Sequence, residues 1–85
     1  MYFLYILRSK EYPKTYVGIT DNLDRRLTEH NAGKSAFSRR YKPWSFVHHE
    51  QFLDRLEARK KERYYKSAAG RKIIKKILHA SHIPA

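Results

Sequence analysis

A chain of 85 residues with no cysteine has room for one small domain and excludes both a disulfide framework and a thiolate metal site. Nineteen Lys and Arg against eight Asp and Glu leave a formal charge of +11. That same-sign field points to a polyanionic partner, nucleic acid ahead of an anionic membrane or an acidic protein. Hydrophobic residues make up 41% of the chain, with seven Tyr, four Phe and one Trp, which suits an aromatic-rich core and argues against disorder.

Residues 2–7 (YFLYIL) form a continuous apolar run, the pattern of a strand covered on both faces. The run is too short for a membrane span. It has no basic stretch before it and Arg8 ends it, so it does not read as a signal peptide, and a cytoplasmic, membrane-free setting is expected. A polar turn with Pro13 leads into residues 15–19 (TYVGI), a second strand that forms an antiparallel hairpin with the first. Gly18 inside it signals a bulge or a close approach of backbone. Thr20, Asp21 and Asn22 offer N-cap side chains. Leu23, Leu27 and His30 follow at helical spacing until Gly33. Residues 32–43 read as a basic loop, in which Lys34, Arg39, Arg40 and Lys42 are interleaved with Phe37 and Tyr41. Nucleic-acid surfaces mix charge and rings in this way, although a solvated basic loop has the same composition.

Residues 44–52 read as a third strand, with Trp44, Phe46 and His48 on one face and Ser45, Val47 and His49 on the other. His48 and His49 then point apart and make no zinc pair. Asp54-x-x-Glu57 resembles a capping box opening a helix that runs to about residue 69. Gly70 reads as a break, and residues 71–78 as a third helix with Ile73, Ile74, Ile77 and Leu78 on one side. The expected fold class is α+β: an antiparallel sheet flanked by helices in a single domain over 1–79, with 80–85 as a tail.

Certain side chains carry chemistry. Arg26 and His30 are four apart on the first helix, at the rim of its Leu23/Leu27 stripe. Their ordinary readings are an exposed base and a histidine at a helix end. Tyr5 and Tyr16 lie on adjacent strands and can approach each other, though tyrosines in small cores are usually packing residues. Glu62 is surrounded by bases, so it is either an ion-pair partner of Arg59, Arg63 or Lys66 or a metal ligand. Glu57 has a capping role instead. A phenol to relay a proton, a guanidinium to hold a phosphate and a carboxylate to hold a hard cation are the groups that metal-assisted phosphodiester cleavage needs.

Taken in order, Leu4-Tyr5-Ile6, Tyr16-Val17-Gly18 and Asn22-Leu23-x-x-Arg26-Leu27-x-x-His30-Asn31 resemble the GIY-YIG nuclease domain. The likeness continues through Gly33-Lys34, Pro43-Trp44 and Glu50-x-Phe52 to Glu57-Ala58-x-x-x-Glu62-x-x-x-Lys66, covering residues 2–78. It is similar above all to the small stand-alone bacterial members. The resemblance implies a three-stranded antiparallel sheet, Tyr5 and Tyr16 in the two strand motifs, and Arg26 as the catalytic arginine. It further implies Glu62 as the only protein ligand of a divalent cation, Mg²⁺ or Mn²⁺, and His30 as an additional active-site residue. In one departure, Phe3 stands where the first motif has glycine.

The expected activity is that of a metal-dependent endonuclease acting on DNA ahead of RNA, working as a monomer without a small-molecule cofactor. Lys34, Arg39, Arg40, Lys42 and Lys66 are the expected nucleic-acid contacts. The alternative is a non-catalytic nucleic-acid-binding module of the same fold. A third reading makes Trp44 and the Ile73/Ile77 side a docking surface for a partner subunit.

Overall fold

The computed structural model describes residues 1–81, so positions 82–85 of the expected tail lie outside the described residues. The chain runs β1 (Tyr2–Ser9), β2 (Thr15–Thr20), α1 (Leu23–Asn31), α2 (Ala36–Tyr41), β3 (Trp44–Phe52), α3 (Arg55–Lys66) and α4 (Ala68–Ser81). It is an α+β fold built on one three-stranded antiparallel sheet of order β2-β1-β3. Among the described residues, no helix is long and apolar enough to cross a membrane.

β1 is the middle strand, which is why its sequence is apolar at every position from Leu4 to Leu7: both of its faces are covered. On one face Tyr5 and Leu7 pack with Trp44, against Leu23 and Leu27 of α1 and Tyr41 of α2. On the other, Leu4, Ile6 and Val17 pack with Tyr65 of α3 and Ile74 of α4. Phe3 pairs with Thr20 on one side and Gln51 on the other, and among the described residues no non-glycine residue has a positive φ. The strand therefore runs on as regular β structure where the motif has glycine.

Four local readings change. Residues 32–43 are not all loop: the Ser35 hydroxyl accepts the Ser38 N–H and starts α2, which Phe37 and Tyr41 hold by stacking near Trp44. The faces of β3 switch at a register shift opposite Ile6/Leu7. That bulge inserts one residue and moves His48 to the α3 face, 6.1 Å from the Tyr65 ring, while His49 packs near Phe46 on the α1 face. α3 ends at Lys66, not near residue 69, leaving Ala69 exposed. Finally, Gly70 does not break a helix. It lies in the first turn of α4, which begins at Ala68 after Ser67 caps it by accepting the Gly70 N–H at 3.2 Å.

Trp44 is 2% exposed, its indole donating to the Ser38 carbonyl at 2.9 Å, and Ile73 and Ile77 pack on the core. Trp44 is therefore interior and not a docking residue, while Ile73 and Ile77 are partly buried and pack on the core.

Candidate active site

Tyr5 is drawn into the core by its neighbours on β1, yet its hydroxyl reaches the end of α1. Gly18 pairs with Tyr5 across the hairpin, and a Cβ there would lie 2.6 Å from the Tyr5 hydroxyl. The glycine is thus a close-approach position, making room for the phenol on its own sheet face. Tyr16 lies two residues back on that face, its ring stacked on Tyr5 at 6.1 Å and 4.6 Å from the His30 ring.

The orientation of α1 follows from its two ends. The Asn22 side chain accepts the Arg25 N–H at 2.9 Å. At the other end Gly33, with φ 77°, donates to the His30 carbonyl while Lys34 donates to that of Glu29, closing the helix by a Schellman motif. Asn31 adds a two-way amide clamp to β3: its Nδ2 donates to the Trp44 carbonyl and its Oδ1 accepts the Trp44 N–H. Arg26 and His30, one turn apart, then meet the same phenol. Arg26 Nε donates to the Tyr5 hydroxyl at 3.1 Å, and His30 Nε2 lies 3.0 Å from it.

Burial sets the protonation states. Tyr5 is 1% exposed, and desolvation pushes its pKa up to about 12 despite the bond and the charge of Arg26. His30 is 2% exposed. Desolvation first and the Arg26 charge second push it down to about 4, so its imidazole is neutral at pH 7. Burial works against the Arg26 charge, but bonds to Tyr5 and to Glu29 (Nη1 to Oε1, 3.0 Å) outweigh it and raise its pKa. With Arg26 donating to the phenol oxygen and His30 neutral, the network assigns the Tyr5 O–H as donor to His30 Nε2.

One pH effect follows. Because the folded-state pKa of His30 is depressed, its contribution to stability is complete above its ordinary value of 6.5 and is lost as pH falls toward 4. Each pH unit crossed between the two values removes roughly 1.4 kcal/mol, so the loss reaches about 3 kcal/mol at about pH 4. Urea melts between these limits should show this slope in the wild type and a shallower one in His30→Gln. Parallel profiles would contradict it.

Glu62 is placed from the other side of the sheet. α3 starts at Asp54, whose carboxylate accepts the Glu57 N–H at 2.9 Å, and it packs against β1 and β2. Tyr65, one turn beyond Glu62, anchors the helix by donating to Glu50 of β3 at 2.6 Å. Glu50 also bonds His48 at 2.8 Å. Burial opposes its charge, but these two bonds hold its pKa below the ordinary range. Glu62 is 8% exposed and paired with Arg59 at 3.1 Å and Lys66 at 3.3 Å. No hydrogen bond joins it to Tyr5, but its charge acts on that phenol through space and helps to raise its pKa. Among the described residues no three His, Cys, Asp or Glu side chains gather as a metal cage. The donor set is instead one carboxylate whose oxygens are held by Arg59 and Lys66. A hard ion that completes its shell with water and substrate phosphate needs only one such carboxylate, and it would displace one of these two partners.

The structure thus joins Tyr5, Arg26 and His30 directly, sets Tyr16 against them and leaves Glu62 near but separate. Lys34, Arg39, Arg40, Lys42 and Lys66 are all exposed. Arg40 lies over the Tyr41 ring, and Lys66 is held by Glu62. Glu29 escaped the sequence reading although, three residues from Arg26, it carried a helical-spacing signal; Asn31 stood in the quoted motif without a role, because its clamp depends on a contact 13 residues away.

Residues 1–76 match the family profile described as the GIY-YIG catalytic domain. The chain belongs to the GIY-YIG family. Curated relatives of this chain include a UPF0213 protein of Lactiplantibacillus plantarum, 41% identical over 76% of this chain and 66% of its own length. Another, from Staphylococcus haemolyticus, is 31% identical over 89% of this chain and 93% of its own length. The solution NMR structure of a UPF0213 protein from Bacillus halodurans is similar over 98% of this chain and 87% of that one, at 28% identity and a TM-score of 0.55. The GIY-YIG sheet and helices described above therefore have an experimental counterpart.

Proposed function

We propose that this protein is a divalent-metal-dependent endonuclease that hydrolyses phosphodiester bonds, in DNA ahead of RNA. The observation that carries this reading is the convergence of Arg26 Nε and His30 Nε2 on one buried phenol, in a family of nucleases and on a chain of net charge +11.

The proton path follows from the network. With one lone pair of the Tyr5 oxygen engaged by Arg26, the other can accept a proton from an attacking water as the phenol passes its own to His30 Nε2. The relay avoids a free phenolate, which a phenol of pKa about 12 would not supply at neutral pH. A phosphate entering the site brings negative charge beside His30 and raises its basicity at the step that needs it. Arg26, about a third exposed and lining a cleft with Tyr2, Ile19 and Arg55, offers its guanidinium to the non-bridging oxygens as their charge grows. Glu62 is the residue that would hold Mg²⁺ or Mn²⁺, and the ion, when bound, supplies positive charge against the leaving oxygen. Tyr16 packs the His30 ring and limits its orientations.

The test is cleavage of a labelled panel of plasmid, branched DNA, single strand and RNA in Mg²⁺, in Mn²⁺ and in EDTA, with Arg26→Ala alongside. Metal-dependent products that fall at least about 100-fold in the variant support the reading. Salt-sensitive binding by both proteins without any product would leave the non-catalytic binding module.

A further inference from the structure

From Arg63 to the C-terminus the sequence carries Arg63, Lys66, Arg71, Lys72, Lys75 and Lys76 and no Asp or Glu. Such one-sided charge costs stability by self-repulsion, so where the fold puts it is informative. α4 turns Ile74 and Ile77 to the core and sets Arg71, Lys75 and His79 at intervals of four residues along one exposed flank. Each interval advances about 6 Å along the helix.

That flank borders two clefts that share Thr15. The first is lined by Tyr16, Lys66 and Arg71, so it begins at the candidate active site. The second is lined by Arg8, Lys14, Lys75 and His79. Neither has a carboxylate in its lining, and among the described residues Arg8, Arg71 and Lys75 form no ion pair. Lys14 lies over the Tyr41 ring, 5.3 Å from its centre. The cleft beside Arg26 is different, since Asp21 and Glu29 there pair with Arg25 and Arg26 and, among the described residues, leave only Arg55 uncompensated. The uncompensated charge therefore starts at Tyr16 and leads away along β2, an edge strand, toward the β1–β2 turn.

We propose that Arg71 and Lys75, with Arg8 and Lys14, form a phosphate-binding track for the nucleic-acid strand that continues beyond the cleaved bond. The inference rests on the nuclease reading for the identity of the ligand, but it concerns binding alone. It places the main backbone grip on the α4 flank and β-hairpin, apart from the α2 bases Arg39 and Arg40.

Anisotropy titrations of a labelled DNA duplex and a labelled single strand, in EDTA and over about 50 to 200 mM salt, test it. Arg71→Ala/Lys75→Ala should bind roughly tenfold more weakly at about 0.1 M salt, with the log–log salt slope shallower by about 2. Both positions are exposed and alanine favours helix, so the fold should survive, which circular dichroism checks. Arg63→Ala/Lys72→Ala changes net charge equally at two exposed positions that line neither cleft, and should move the slope far less. Equal losses in the two pairs, or no loss in Arg71→Ala/Lys75→Ala, would overturn the track while leaving the nuclease reading intact. Failure of the wild type to bind either probe would overturn the track, whereas the nuclease reading is decided separately by the cleavage panel, which includes branched DNA and RNA.

Discussion

Glu62→Gln should cut at least about 1,000-fold more slowly than the wild type in Mg²⁺ while binding nucleic acid at least as tightly. The substitution keeps the shape of the side chain and removes only its charge. Two readings of Glu62 then separate. As an ion-pair residue it would contribute little, because Arg59 and Lys66 are 42% and 57% exposed, and such pairs stabilise by less than about 1 kcal/mol. Losing them should move the melting temperature by only a few degrees and leave chemistry untouched. As a cation ligand its charge acts on Tyr5, and it pairs with Lys66, which lines the basic cleft, so losing that charge should remove metal-dependent cleavage. Binding should persist because the variant removes a negative charge from a surface that grips phosphates. Mn²⁺-induced broadening of NMR signals around Glu62 gives a second readout, present in the wild type and absent in the variant. Normal cleavage by Glu62→Gln would assign the residue to the ion pairs alone.

Gly70→Ala should destabilise the fold by about 3 kcal/mol, and for a chain this short that lowers the melting temperature by roughly 12 to 24 °C. The sign of this effect is informative. In a helix alanine is better than glycine by about 1 kcal/mol, so a glycine that merely weakens a helix would give a stabilised variant. Here an added Cβ would lie 1.9 Å from the Tyr64 carbonyl oxygen and 2.4 Å from the Tyr65 Cα, both backbone atoms that cannot swing aside. The start of α4 is therefore pressed against the end of α3, and the whole junction must move to accept a methyl group. That junction also carries Tyr65, through which Glu50 holds α3, so cleavage should weaken along with stability. A thermal melt followed by circular dichroism decides the matter, and an unchanged or higher melting temperature would show that the two helices can separate freely.

The same glycine shows what was and was not legible in the sequence. Intrinsic propensity makes Gly70 a breaker, and only the packing of one helix on another makes it a contact. The central strand was readable because burial on both faces leaves an unbroken apolar run from Leu4 to Leu7. α1 was readable because Asn22 and Gly33 both bracket it with cap chemistry. α2 was not, since its six residues include two arginines and owe their helical form to Phe37 and Tyr41 packing near Trp44. The faces of β3 were misread for a similar reason: alternation holds until a bulge, and no residue type in Val47-His48-His49 announces one. In the candidate site, helical spacing placed Arg26 and His30 side by side, but their convergence on Tyr5 spans 21 and 25 residues of sequence and needed the resemblance to suggest it.

Single-turnover cleavage by Tyr5→Phe asks whether the hydroxyl shared by Arg26 and His30 handles the proton of the attacking water. The variant keeps the buried ring and removes one oxygen, so its folding and DNA binding can be checked independently. Metal-dependent cleavage should be slower by about 100- to 10,000-fold, with binding unchanged. Cleavage at the wild-type rate would contradict that role and would leave Tyr5 as a packing residue whose hydroxyl serves only to tether α1.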